Sequence, residues 1–204
     1  IESAGLGRIY GANTTNQGAL PIYHVTENPH FHQWFVDKQL AGGGALTDHI
    51  VHVADLLRWY LGEEVVEVYA TANTILYADK VDVETAGVVM LTFESGTFAS
   101  IDCSWSKPPN YPTWGGLTME LVGENGLVTV DAFKQTSTVY SGYNNNGQWA
   151  YWGSDANQSM IKEFTDAIRE NRSPSITGYD GYKATEIVAA AYQSVASGQP
   201  VSLT

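Results

Sequence analysis

One amphipathic segment constrains the fold more than any other part of the sequence. Residues 42–62 begin with three glycines, end on a glycine, and carry apolar residues at spacings of four and three. This spacing predicts an α-helix with a single buried stripe. The stripe consists of Leu46, Ile50, Val53, Leu57 and Leu61. A second series, Asp48, His52, Asp55 and Trp59, lies about 200° further round the helix, which predicts a separate polar face.

Residues 65–140 follow a different pattern, in which apolar and polar residues alternate and β-branched residues form short runs. Turn sequences rich in glycine, proline and asparagine separate these runs, so the segment predicts a meander of antiparallel strands. The strands are expected over residues 65–72, 85–93, 97–105, 117–122 and 127–132. One more strand is expected near the start of the chain, over residues 7–15.

Two further helices are expected at the C-terminal end. In residues 158–171 the side chains of Ile161, Phe164 and Ile168 share one side, and residues 181–197 form an alanine-rich amphipathic segment. No internal repeat is present, so residues 1–204 are expected to form one α+β domain. Its architecture should be an open, mainly antiparallel β-sheet with helices packed on one face. Residues 1–5 are typical of the end of a helix that stops at glycine. We therefore expect further chain to precede residue 1 in the natural protein.

Charge and composition limit the partners. The 204 residues include 22 acidic and 10 basic side chains, which gives a net charge of −12. An acidic chain without a basic stripe repels phosphate backbones, so neither nucleic acid nor a membrane is expected as a partner. No apolar run approaches the length of a membrane span. The single cysteine, Cys103, cannot form an internal disulfide, and a reducing, cytoplasmic location is expected.

The polar face of the first helix carries the residues best suited to chemistry. Asp48 and His52 lie one helical turn apart, so they can hydrogen-bond to each other or bind one ligand together. A histidine beside a carboxylate suits general acid–base chemistry near neutral pH. The same spacing also fits a helix-capping aspartate and a half-exposed histidine on a solvated face. Glycines before the helix, Gly43 and Gly44 among them, allow close approach by a ligand or by another chain segment.

Other histidines leave a metal site as an alternative. His30 and His32 would point to the same side of a strand, and with Asp48 and His52 they could hold the metal of a hydrolase. However, no second acid-and-histidine cluster has the ligand spacing of a helix, and His49 lies about 100° away from Asp48. We therefore predict no metal site. A metal-dependent hydrolase is kept as a second alternative function.

Residues 42–62 resemble the glycine-rich helix signature of the Gfo/Idh/MocA oxidoreductases, the family of glucose-fructose oxidoreductase and inositol dehydrogenase. Residues 164–168 resemble the closing helices of that family, and residues 5–9 resemble its passage out of the dinucleotide-binding domain. Ile50 is a departure, because the family usually has glycine there. Further similar positions are Pro174, Gly178, Gly181, Ala184, Ile187, Ala190, Ser194, Gly198, Pro200, Val201 and Leu203.

The resemblance implies that the chain is the second part of a two-domain enzyme. In the family an N-terminal Rossmann domain binds NAD or NADP, and this sequence has neither a strand with a G-x-G-x-x-G turn nor the family's Glu-Lys-Pro motif. Residues 1–6 would be a remnant of the junction. The chain would be the substrate-binding and oligomerisation domain of an NAD(P)-dependent oxidoreductase that acts on a sugar, polyol or related hydroxyl compound. It would be inactive alone.

The resemblance also assigns roles to residues. His52 would take the hydroxyl proton while hydride leaves the same carbon, and Asp48 would orient or polarise that pair. Association of the family through its sheet implies a homodimer or homotetramer. The other candidate substrate contacts are Gly43, Gly44, His30, Lys107 and Tyr111. The first alternative is a non-catalytic interaction module whose open sheet face binds another protein.

Overall fold

The elements follow the predicted order, with a first strand, the long helix, a run of strands and two C-terminal helices. The computed structural model describes residues 5–23, 33–113, 115–140, 147–151, 153 and 155–203. In chain order the elements are β1 (Ile9–Ala19), two 3-10 turns (Pro21–Tyr23 and Gln33–Val36), α1 (Lys38–Ala41), α2 (Ala45–Leu61), β2 (Val65–Asn73), β3 (Ala86–Phe93), β4 (Phe98–Lys107), β5 (Gly115–Gly123), β6 (Gly126–Asp131), β7 (Thr136–Tyr140), β8 (Gly147–Tyr151), α3 (Ala156–Arg169), α4 (Gly178–Ser197) and β9 (Val201–Ser202).

Seven strands form one open sheet in the order β6-β5-β1-β4-β3-β2-β9. β1 runs antiparallel to β5 and parallel to β4, and the other neighbouring strands of this sheet run antiparallel. β7 and β8 form a separate two-stranded ribbon. The predicted α+β class with an open, mainly antiparallel sheet is thus confirmed. The parallel β1–β4 pair was not predicted, because it joins two distant segments across a connection that contains α2.

α2 and α4 pack on one face of this sheet and enclose the main core. The predicted buried stripe of α2 is confirmed, since its first four members are wholly buried and Leu61 is partly buried. Ile50 fits into this core without exposure. Full burial of a leucine or isoleucine side chain stabilises a fold by about 1.5–3 kcal/mol. The sheet residues facing the helices include Val68, Val89, Leu91, Ala99, Ile101 and Cys103.

Both ends of α2 are capped by specific contacts. At the start, Oε1 of Glu84 accepts hydrogen bonds from the backbone N–H groups of Gly44 (2.8 Å) and Leu46 (3.1 Å). At the end, Gly62 adopts the left-handed conformation with φ of 67°, and its N–H donates to the carbonyl of Arg58. A carboxylate at the N-terminus and a left-handed glycine at the C-terminus both satisfy backbone groups that a helix leaves open. The two hydrogen bonds to Glu84 fix the first turn, which carries Asp48.

α3 exposes the apolar side that its sequence pattern defines. Ile161, Phe164 and Ile168 do share one side of the helix, but they are 58 %, 55 % and 67 % exposed. Ala167 is the buried residue of α3. The helix is tied to the following turn by Glu163, whose carboxylate accepts hydrogen bonds from Arg172 and Ser175. Among the described residues, no helix is long and apolar enough to cross a bilayer.

Several predicted residues lie outside the described part of the chain. His30 and His32 belong to residues 24–32, which the structure does not describe, and the first four residues are likewise outside it. The candidate substrate contact of His30 and the histidine pair of the metal alternative therefore have no structural description here.

Candidate active site

Asp48 lies in the first turn of α2, against the inner face of β4. Its Oδ2 accepts a hydrogen bond of 2.8 Å from the indole Nε1 of Trp105. Oδ2 also lies 3.8 Å from Nε2 of His49, and the Asp48 side chain is only 7 % exposed. Burial raises the pKa of Asp48 from 3.8 to about 6, while the hydrogen bond from Trp105 acts in the opposite direction. A carboxyl that titrates near neutrality is typical of acid–base sites.

This raised pKa predicts a pH-dependent stability. The folded state binds a proton at Asp48 more tightly than the unfolded state, so stability is lost as the pH rises from about 4 to 6. The shift corresponds to about 3 kcal/mol. We expect Asp48→Asn, which keeps an acceptor for Trp105, to stabilise the fold above pH 6 and to have little effect near pH 4. Thermal unfolding at both pH values measures the difference.

The matched control is Asp79→Asn at an exposed position. It should change the melting temperature equally little at both pH values. A destabilising effect of Asp48→Asn at pH 8 would contradict the prediction.

His52 is exposed at the rim of a cavity of about 540 Å³. The surrounding protein desolvates its imidazole and lowers its pKa, while the Asp55 carboxylate acts in the opposite direction. The lowered pKa keeps His52 neutral at pH 7, in the form that accepts a proton. Within the described residues Asp48 is hydrogen-bonded to Trp105 and not to His52. Among the described residues, Asp48 is not one of those that line this cavity, so joint action of Asp48 and His52 on one ligand stays a prediction.

The cavity beside His52 lies between α2, β5 and the start of α4. Its walls are mainly apolar, with polar groups from Asn16, Asp55 and Asp180. Apolar walls with a few placed polar groups are typical of small-molecule sites. Sequence reasoning placed Asp55 on the polar face of α2 but gave it no role.

Arg58 determines where those carboxylates lie. Its buried guanidinium donates two hydrogen bonds to Glu64, of 2.7 and 2.8 Å. Nη1 lies 3.7 Å from Oδ1 of Asp55 and 3.6 Å from Oδ1 of Asp180. Asp180 also caps α4 by accepting the N–H of Thr177. One cation therefore links the end of α2 to the start of α4 and orients two carboxylates on the cavity wall.

The glycines before α2 are closely approached by the chain itself. A Cβ on Gly43 would lie 1.7 Å from the hydroxyl oxygen of Tyr192, and a Cβ on Gly44 would lie 2.1 Å from the carbonyl oxygen of Glu84. Tyr192 in turn donates a hydrogen bond of 2.6 Å to the Glu84 carboxylate. Of the two interpretations of the glycines, close approach by another segment is the one seen. A role of Gly43 and Gly44 in substrate binding remains a prediction.

Lys107 and Tyr111 lie together in a smaller recess. Nζ of Lys107 is 4.9 Å from the centre of the Tyr111 ring. Both line a space of about 170 Å³ that shares Gly116 and Phe133 with the cavity of His52. Lys107 is the last residue of β4. The structure thus brings these two candidates to a space next to the cavity of His52.

His49 is the second histidine near Asp48, and its side chain is wholly buried. Burial lowers its pKa to about 3, so it is neutral at physiological pH. Sequence reasoning separated it from Asp48 by helix angle and did not foresee its approach to Oδ2. Among the described residues, no group of three or more His, Cys, Asp or Glu side chains could hold a metal ion.

Comparisons with known proteins identified a family and its relatives. A family model described as the GFO/IDH/MocA C-terminal domain matches residues 1–129. The uncharacterized oxidoreductase YrbE of Bacillus subtilis is 32 % identical over 177 residues, which are 82 % of this chain and 50 % of that protein. Myo-inositol 2-dehydrogenase of Thermotoga maritima is 28 % identical over 178 residues, covering 82 % of this chain and 52 % of the enzyme.

Two solved structures of oxidoreductases share the fold of this chain. GenD2 from gentamicin A biosynthesis, in complex with NAD, has a TM-score of 0.80 and 27 % identity, covering all of this chain and 58 % of its own. Levoglucosan dehydrogenase in complex with NADH shares the fold, with a TM-score of 0.75, 22 % identity, and coverage of 100 % of this chain and 60 % of its own. The chain spans about half the length of the curated relatives it matches.

Proposed function

The chain belongs to the GFO/IDH/MocA family, and from that premise we propose that it is the substrate-binding and oligomerisation domain of an NAD(P)-dependent oxidoreductase. The proposed substrates are sugars, polyols or related hydroxyl compounds. The observation that carries the proposal is the pairing on α2 of a buried carboxyl, with a pKa of about 6, and a cavity-facing histidine one turn later. The relative named as a myo-inositol dehydrogenase supports the substrate class.

In the proposed reaction His52 acts as the general base. Its neutral imidazole accepts the proton of a substrate hydroxyl as the carbon that bears it is oxidised. Asp48 is largely ionised at pH 7, and its negative charge one turn away stabilises the imidazolium that forms. Asp55 and Asp180, held by Arg58, accept hydrogen bonds from other hydroxyl groups of the substrate. The turnover of a His52→Ala variant of the longer protein tests this role.

The glycine-rich start of α2 does not fit the pyrophosphate of a dinucleotide. A pyrophosphate is bound by free backbone N–H groups at a helix N-terminus after a glycine-rich turn. At the start of α2, Gly44 and Leu46 already donate their N–H groups to Glu84. The proposal therefore assigns NAD or NADP to the rest of the longer protein, while this chain supplies the proton transfer.

The oligomerisation role rests on the face of the sheet opposite the helices. Its centre is polar, with hydrogen bonds such as Thr15 to Thr118 and Gln17 to Asp102. Large apolar side chains surround that centre, and all are at least 38 % exposed. They are Tyr69, Val88, Met90, Phe98, Val122 and Leu127. An exposed apolar sheet face of this kind is typical of an interface, and we assign it to a second copy of the chain.

We expect the chain to sediment as a dimer or tetramer and Met90→Arg to sediment as a monomer. Met90 lies between Tyr69 and Ser100 on this face, so an arginine there places a charge in the proposed interface. Analytical ultracentrifugation at micromolar concentrations measures the effect, with circular dichroism as the check of folding. Ile75→Arg, on an exposed loop, is the matched control and should leave the mass unchanged. A monomeric parent chain would refute the assignment.

A further inference from the structure

Trp105 occupies a second, smaller core beside the start of α2. Its side chain is wholly buried and packs with Leu20, Ala45, Val81 and Val83. Its backbone N–H donates to the carbonyl of Thr85 at 2.9 Å, which fixes the strand at this point. A buried indole has one polar atom to satisfy. Here that atom, Nε1, donates to Oδ2 of Asp48.

The two oxygens of the Asp48 carboxyl therefore differ. Oδ2 is held by the indole, whereas Oδ1 makes no hydrogen bond within the described part of the chain. The hydrogen bond ties the carboxyl plane to β4, an element other than the helix that carries Asp48. Such a contact limits the rotamers of the side chain and so fixes the orientation of the carboxyl.

We propose that Trp105 is a positioning residue for Asp48: it holds Oδ2 against β4 and so fixes the carboxyl one helical turn from His52. This inference rests on the proposed function. A hydrogen bond to an ionised carboxylate is stronger than one to the neutral acid, so the indole also favours the charged form that burial opposes. Trp105 thereby keeps Asp48 in its catalytic charge state at neutral pH.

The neighbouring titratable groups do not provide a substitute. On α2, His49 and His52 both have lowered pKa values, so neither places a positive charge beside Asp48 at pH 7. Nε2 of His49 lies 3.8 Å from Oδ2, beyond hydrogen-bond distance. On β4, the Cys103 thiol is buried with a raised pKa, and the Asp48 charge contributes to that rise. Before β3, Glu84 is engaged by Gly44 and Tyr192. Among the described residues, the indole is thus the hydrogen-bond donor to the Asp48 carboxyl.

The test is Trp105→Phe, which keeps an aromatic ring and removes the donor. We expect the midpoint of the Asp48 carboxyl titration, followed by carbon-13 NMR in this chain, to rise by about one pH unit or more. In the longer protein the acidic limb of the kcat profile should move by the same amount to higher pH. Trp59→Phe, at an exposed position of α2, is the matched control and should move neither.

A second measurement tests the proposal even if Trp105→Phe does not fold. In the parent chain the indole N–H signal of Trp105 should titrate with a midpoint near that of Asp48, about 6, and should be insensitive to pH in Asp48→Asn. An indole signal that does not respond between pH 4 and 8, or an unchanged Asp48 midpoint in folded Trp105→Phe, would overturn the proposal. An inactive longer protein would instead count against the proposed function, because the titration needs no turnover.

Discussion

Replacing His52 by alanine is expected to lower the turnover of the proposed longer oxidoreductase by about 10²- to 10⁴-fold, the usual contribution of a general base. The imidazole is neutral, exposed to the cavity and one turn from the Asp48 carboxyl, so the variant loses the proton acceptor. Its loss should appear in kcat and in kcat/KM together, because the proton moves in the transition state.

The affinity for NAD(H) separates this role from a structural one. Steady-state kinetics on a polyol substrate, together with a fluorescence titration of the cofactor, should show a large kinetic loss and an almost unchanged Kd. Trp59→Ala is the matched control, because Trp59 lies two turns further along the same side of α2 and is 70 % exposed. Equal losses in turnover and cofactor affinity would refute the assigned role.

Gly44→Ala is expected to destabilise the fold by about 3 kcal/mol, the upper end of the usual cost of overpacking, because the atom it meets belongs to the backbone. The new Cβ would meet the backbone carbonyl oxygen of Glu84 at 2.1 Å. Relief of that clash would pull apart the cap in which Glu84 accepts the N–H groups of Gly44 and Leu46. The substitution thus adds a clash and removes a cap at the turn that carries Asp48.

Chemical denaturation measures this loss directly. Gly178→Ala is the control, because Gly178 is the first residue of α4 and a Cβ there meets nothing within 4 Å. It should leave the free energy of unfolding within about 0.5 kcal/mol of the parent value. A Gly44→Ala chain as stable as the parent would contradict this prediction, because it would show that Glu84 can move away from the start of α2 without loss of stability.

The sequence predicts α2 well because the pattern that identifies it is local. The apolar stripe and the glycines at both ends lie within 21 residues, 42–62, and the helix runs between those glycines. The strands between residues 65 and 131 were predicted to within a few residues for the same reason. The periodicity of α3 was also readable, but a period shows only which side chains share a face. It carries no information on whether Ile161, Phe164 and Ile168 are buried, and all three are exposed.

The parts of the site that the sequence did not reveal depend on distant segments. Asp48 and Trp105 are 57 positions apart, and their hydrogen bond follows from how β4 lies under α2. One signal for it was present, because Trp105 alternates with Ile101 and Cys103 on the inner face of β4. The segment that approaches Gly44 was likewise unpredictable, because Glu84 and Tyr192 come from different elements of the chain.

The burial of Cys103 makes this chain convenient for spectroscopy. It is the only cysteine in the sequence, its side chain is wholly buried, and burial raises the pKa of its thiol. Since thiol reagents attack the exposed thiolate, the folded native chain offers them no target. A cysteine introduced at an exposed site such as Ile75 would accept a spin label or fluorophore at one position, without prior removal of the native residue.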